Sequence, residues 1–189
     1  MKAIAFAVVL LFFISIHSSA QPGIVWDRVY FDGFVCFFND VHETSDGGFV
    51  VALYGSISPA TILAKFDADG NISWSSGLGI ANQSGWWVEE LSSGGYIITG
   101  SGRETSGSSV GVLLARFDAN GDEMWWKIHN VDGGSEGGRC VLPLPDGGFA
   151  VCGHKNPVSG MDQAWILRTD ANGDTLWPAR PKNVLLRYE

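Results

Sequence analysis

Side chains able to bind a cation recur at alternate positions in three places: Asp67, Asp69 and Asn71; Asp118, Asn120 and Asp122; Asp170, Asn172 and Asp174. Alternating carboxylate and amide oxygens suit Ca²⁺, but an EF-hand loop needs Gly at its sixth position and a bidentate Glu at its twelfth. Here Gly stands fourth, as Gly70, Gly121 and Gly173, and the chain turns at once into a strand. Turn chemistry accounts for these residues, because Asp and Asn bond their own backbone and Gly supplies a positive φ. No metal site is expected. The string Gly107-Ser-Ser-Val-Gly111 matches a nucleophile elbow, yet that elbow requires a strand-to-helix turn in an α/β sheet, and this one falls in a Gly/Ser-rich loop. His42, His129 and His154 lie in different parts of the chain, none at ligand spacing to another His or to a Cys pair. Asn71 and Asn82 head glycosylation sequons, which matter only in a source that glycosylates. With no converging acid, base and nucleophile, neither a catalytic residue nor a cofactor is expected.

The elements that hold these residues repeat. Asp67-Ala-Asp-Gly-Asn-Ile-Ser-Trp74, Asp118-Ala-Asn-Gly-Asp-Glu-Met-Trp125 and Asp170-Ala-Asn-Gly-Asp-Thr-Leu-Trp177 follow one another at offsets of 51 and 52 residues. A fixed period of about 50 marks a repeat architecture. A second phrase keeps step: Asp46-Gly-Gly-Phe49, Ser93-Gly-Gly-Tyr96 and Asp146-Gly-Gly-Phe149 precede those aspartates by 21, 25 and 24 residues. Each unit reads as four short strands, placed in the third unit at 139–144, 149–153, 164–169 and 175–177. The second strand of each unit is apolar on both faces, which places it inside a sheet covered on each side.

Two hairpins per unit fix the register. Pro145, Asp146 and Gly147 form a three-residue loop with Gly147 left-handed, so Leu144 faces Gly148 and Cys140 faces Cys152. That pair reads either as a disulfide or as two small buried hydrophobes; Cys36 has no evident partner. In the other hairpin, Asp69-Gly70 suit the two positive-φ positions of a type I′ turn. Lys65 then faces Trp74, and by the same arithmetic Arg116 faces Trp125 and Arg168 faces Trp177. A basic stem lying over an indole covers apolar surface and makes a cation–π contact, so these pairs are read as structural staples.

These phrases resemble the propeller-type repeats of large secreted bacterial proteins, in which Asp-Gly-Gly hairpins alternate with Asp-x-(Asp/Asn)-Gly-(Asp/Asn) hairpins ending at Trp. The likeness spans about Trp26 to Trp177, and it implies one four-stranded blade per repeat and an exported surface component. The fold expected is all-β, with about three four-stranded antiparallel propeller-type blades, over 26–74, 75–125 and 126–177, forming an incomplete propeller. A β-trefoil also builds its body from three four-stranded units and stands as the alternative, although its lectin signature Gln-x-Trp occurs only once in this sequence, as Gln163-Ala164-Trp165, and not in each unit.

Lys2, the apolar stretch Ala3 to Ile16 and the small residues Ser18 and Ala20 read as a signal peptide over 1–20. The stretch is short of the ~20 residues that span a bilayer. The repeat domain is placed at 21–177, with an atypical tail at 178–189 and no membrane association after cleavage. The chain has 12 basic and 20 acidic side chains, a net charge of −8, which excludes nucleic acid as an expected partner. Trp86 and Trp87 lie on the first strand of the second unit, where alternation sends one indole to the core and leaves the other to face a neighbouring blade or a groove. They are the candidate binding residues. The function expected is an exported, non-enzymatic repeat protein or fragment, extracellular or at the cell surface, acting as a scaffold or interaction surface. Its expected partners are protein or polysaccharide, with self-association through open blade edges. A lectin-like carbohydrate-binding module is the alternative, and a propeller hydrolase or lyase ranks behind it.

Overall fold

The computed structural model describes residues 27–30, 36–55, 61–130, 134–156 and 163–176. The expected signal peptide, the C-terminal tail and Trp177 lie outside the described residues. The described chain is all-β and forms three antiparallel sheets. The first contains β1 (Cys36–Glu43), β2 (Phe49–Gly55), β3 (Thr61–Phe66) and β4 (Ile72–Gly77). The second contains β5 (Ala81–Glu90), β6 (Tyr96–Arg103), β7 (Gly111–Phe117) and β8 (Glu123–His129). The third contains β9 (Ser135–Pro143), β10 (Phe149–Asn156) and β11 (Gln163–Thr169). Where a fourth strand is expected, Thr175 bridges to Thr169 and the Leu176 amide donates to Arg168 O at 2.9 Å.

Each sheet pairs its strands in chain order. The second sheet is covered on both faces, which is why β6 and β7 are apolar without alternation. Ile98, Leu113 and Phe117 join Val50, Ile62 and Leu78 in the core between the first and second sheets. Ile97, Val112 and Leu114 join Val141, Phe149 and Trp165 between the second and third. Each such fully buried side chain contributes about 1.5–3 kcal/mol of burial free energy. The first strands of the units lie near one another, with β5 touching both β1 and β9.

The Gly-Gly hairpins have the expected form: Leu144 N donates to Gly148 O at 2.9 Å, Gly147 N donates to Leu144 O at 2.9 Å, and Gly147 has φ +84°. The other hairpin differs from the expected type I′ turn. Only Gly70 of the central pair has positive φ, and Asp67 N donates to Asn71 O at 2.9 Å. Asp67 Oδ1 accepts from the amides of Asp69 and Asn71 at 3.0 and 2.7 Å, so the Asp side chain organises the loop and Asp69 stays right-handed. The loop is one residue longer than expected, and a bulge restores the register by skipping Ser73: Phe66 pairs with Ile72, and Lys65 still pairs with Trp74. The second unit repeats this, with Phe117 opposite Glu123 and Arg116 opposite Trp125.

Candidate functional site

The first strand of every sheet carries a bulge at the same place. Asn39 is the extra residue of β1, Trp86 of β5 and Arg139 of β9. Each stands seven residues before the residue that opens its Gly-Gly turn, namely Asp46, Ser93 or Asp146. A bulge leaves one residue out of the ladder and re-aims its side chain. The three re-aimed side chains bridge successive sheets. Asn39 Nδ2 donates to Gly85 O at 2.6 Å, and the Arg139 guanidinium lies 3.6 Å over the Trp86 ring.

A cavity of about 380 Å³ opens beside this row, between the first and second sheets. Phe37 and Tyr54, register partners on β1 and β2, form one aromatic wall, and Trp86 of β5 forms another. Asn39, Asn82, Ser84 and Ser101 complete the lining with amides and hydroxyls. Ser84 pairs with Ser101 across β5 and β6. Gly100, beside that pair, has no room for a side chain, since a Cβ there would stand 1.8 Å from Ser84 O and 2.9 Å from Trp86 Cδ1. The sheet therefore closes tightly behind the indole. Asn82 has φ +50°, the one non-glycine residue with positive φ among those described. Buried Gln83 holds it there: its Oε1 accepts from Leu78 N at 2.9 Å, and its Nε2 donates to Leu78 O and to Ile80 O. With that amide fastened inward, exposed Asn82 faces the cavity. Trp86 Nε1 is buried and has no hydrogen-bond partner among the described residues.

The two candidate tryptophans part company at the bulge. Trp86 lines the cavity, whereas Trp87 packs against the core between the second and third sheets. The Trp87 ring meets His42 edge-on, and its Nε1 donates to Glu89 Oε1 at 2.9 Å. Sequence reasoning missed Phe37, Tyr54, Asn39 and Arg139. The constant distance back from the Gly-Gly turn could have aligned Asn39 with Trp86 and Arg139, but their types differ and a bulge has no residue signature.

The basic residues facing Trp74 and Trp125 direct their charge to the other hairpin of their own unit. Lys65 is buried; its Nζ donates to Asp46 Oδ1 at 2.9 Å and to Phe66 O at 3.1 Å. Arg168 pairs with Asp146, and Arg116 Nη2 reaches Ser93 Oγ at 3.4 Å. The Thr44 hydroxyl, Lys65 and the Gly48 amide hold the Asp46 carboxyl far below its usual range. The Gly148 amide and Arg168 lower that of Asp146. The tryptophans have another partner: Trp74 lies against Gly121 and Trp125 against Gly173, each under the turn of the following unit. Trp177 is outside the described residues, and so is any contact with Arg168.

Cys140 and Cys152 are register partners, the first half-buried and the second exposed, both free thiols. Burial and the neighbouring Cys152 push the Cys140 thiol up. Among the described residues no group of three His, Cys, Asp or Glu side chains could hold a metal ion. No protein-family model matches the chain, and no curated protein does either.

Proposed function

We propose that the chain is an exported, non-enzymatic repeat module of the β-propeller type, three blades of an incomplete propeller, whose work is to present a binding surface outside the cell. The observation that carries this reading is the bulged row: a constant sheet framework delivers Asn39, Trp86 and Arg139, different in chemistry, to one equivalent position in three consecutive units. A repeated frame that varies the side chains at its re-aimed positions suits recognition better than catalysis. The blade reading rather than the trefoil is supported by the pairing, because every described ladder joins strands of the same unit and the cores between units are built of side chains. A propeller blade is such a self-contained four-stranded sheet.

A lectin-like reading is favoured by the cavity, where aromatic rings and neutral amides stand together. The test applies purified chain to insoluble polysaccharides and to a panel of glycoside, ester and uronide substrates. Retention without turnover supports a binding module. Turnover that co-purifies with the chain and disappears on substitution of one of its residues overturns the non-enzymatic reading. Export is checked separately, by expression in a secreting host and mass determination of the released chain, which is expected to begin at Gln21.

A further inference from the structure

We infer that the cavity between the first and second sheets is a binding site for a neutral saccharide, with Phe37 and Tyr54 as the stacking platform. The inference rests on the reading of the chain as a binding module and names the ligand class of its site. Phe37 is 60 % exposed and Tyr54 38 % exposed, and as register partners they present their rings side by side on one face of the sheet. Exposed aromatics kept together beside a cavity are out of keeping with a merely structural role. The cavity falls within the range of about 300–1,000 Å³ typical of small-ligand sites, near its lower end, and so suits one sugar residue or the end of an oligosaccharide.

The lining selects the chemistry. Among the described residues no Asp, Glu, Lys, Arg or His contributes to it, and a chain of net charge −8 repels anions at long range. A purely apolar ligand would strip water from Asn39, Asn82, Ser84 and Ser101 without replacing its hydrogen bonds, which is costly. A pyranose ring meets both demands. One face carries axial C–H groups that lie on aromatic rings, and its rim carries hydroxyls that donate and accept, matching amide and hydroxyl partners one for one. Two further features point the same way. Asn82 is held in a left-handed conformation by a buried clamp that leaves its side chain facing the cavity, and such strain concentrates at functional positions. Trp86 Nε1 is a buried donor with no hydrogen-bond partner among the described residues, which a ligand hydroxyl would satisfy. Arg139 lies over the indole and does not line the cavity, so it is a positioning residue for the wall rather than a contact.

The experiment titrates the full purified chain with methyl glycosides of glucose, galactose, mannose and xylose, and with their β-linked oligosaccharides, following indole fluorescence and heat. At least one of these neutral sugars is expected to bind and to shift the emission. Phe37→Ala, Tyr54→Ala and Asn82→Ala are each expected to weaken it about tenfold or more, and Trp86→Phe to remove the fluorescence shift. Circular dichroism and the melting temperature verify folding, and Phe37→Leu and Tyr54→Phe serve where an alanine variant fails to fold. Absence of binding by every sugar to folded wild type overturns the inference, as does sugar binding indifferent to all three alanine variants. Preferential binding of an unstructured aromatic peptide, with sugars silent, overturns it too. Hydrolysis of a bound glycoside leaves the site standing and sinks the non-enzymatic reading instead, whereas silence toward sugars without turnover leaves that reading intact.

Discussion

The indole of Trp74 lies so close against Gly121 that a Cβ on the glycine would stand 2.5 Å from ring atom Cε3. The two residues belong to consecutive units, and Trp125 repeats the relationship with Gly173, where the nearest ring atom would be 2.7 Å away. Ser76 secures the same junction by donating to Gly121 O. Gly121 also has φ +84°, so the turn and the neighbouring indole demand glycine independently. We expect Gly121→Ala to destabilise the chain by about 2–4 kcal/mol, from strained φ and overpacking together. Gly107→Ala, in an exposed loop with nothing near the added methyl, is expected to stay within about 0.5 kcal/mol. Urea unfolding of both variants checks the contrast, and equal midpoints would refute the junction's importance.

Lys65 and Asp46 link the two hairpins of the first unit, and the Asp46 carboxyl is held low by the Thr44 hydroxyl, then Lys65 and Gly48. A carboxyl whose folded pKa lies below its unfolded value of about 3.9 contributes stability above that value. The contribution is lost as pH falls from about 4 through the folded pKa. Asp46→Asn is therefore expected to lower stability at neutral pH and to flatten its decline below pH 4. Melting temperatures measured from about pH 7 down to pH 2 test this, and parallel curves for variant and wild type would rule it out.

The sequence makes the period, the positions of the two hairpins and the doubly apolar second strands legible, because each depends on residue types that few local geometries suit. It also yields the pairing of Lys65 with Trp74, though by an incomplete route: the real loop is one residue longer than a type I′ turn, and a bulge at Ser73 cancels the difference. Which partner an indole chooses is a different matter. Trp74 reaches a glycine 47 residues away, 121 minus 74, in the next unit, and no local rule links the two. The candidate site is hidden for a related reason. Trp86 stands out by type, but Phe37 and Tyr54 read as ordinary strand residues until packing leaves them outside the core. Trp87, its neighbour in sequence, packs instead against the core between the second and third sheets.

Cys140 and Cys152 face each other on β9 and β10, and Cys152 is close enough to help raise the Cys140 thiol. Oxidised glutathione is expected to join them in an intramolecular disulfide, each thiol giving up a hydrogen as the glutathione disulfide is reduced to two thiols. Because burial raises the Cys140 thiol, the rate should climb steadily on the alkaline side of neutrality. Closing so short a loop would add at most about 3 kcal/mol. Thiol counting with maleimide before and after oxidation, with Cys140→Ser and Cys152→Ser as controls, checks the pairing. A mixed disulfide with glutathione as the stable product would refute it.

Leu63, Leu114 and Ile166 occupy one equivalent position, four residues before Asp67, Asp118 and Asp170, yet their exposures are 0 %, 0 % and 55 %. The first two are covered by the following sheet, whereas the corresponding face of the third sheet shows Ile166 and Cys152 to solvent, with Leu142 also exposed. Repeat arrays leave an end face of this kind sticky unless it is capped by polar residues. We therefore expect the purified chain to self-associate as its concentration rises. Ile166→Asp should shift it toward monomer while leaving the melting temperature nearly unchanged, since a charge there remains hydrated. Leu114→Asp, by contrast, buries an unpaired carboxylate and should cost more than about 4 kcal/mol. Sedimentation velocity over a hundredfold concentration range distinguishes the cases. A wild-type chain that stays monomeric throughout would mean that this face is not adhesive, and that the apolar residues there need another explanation.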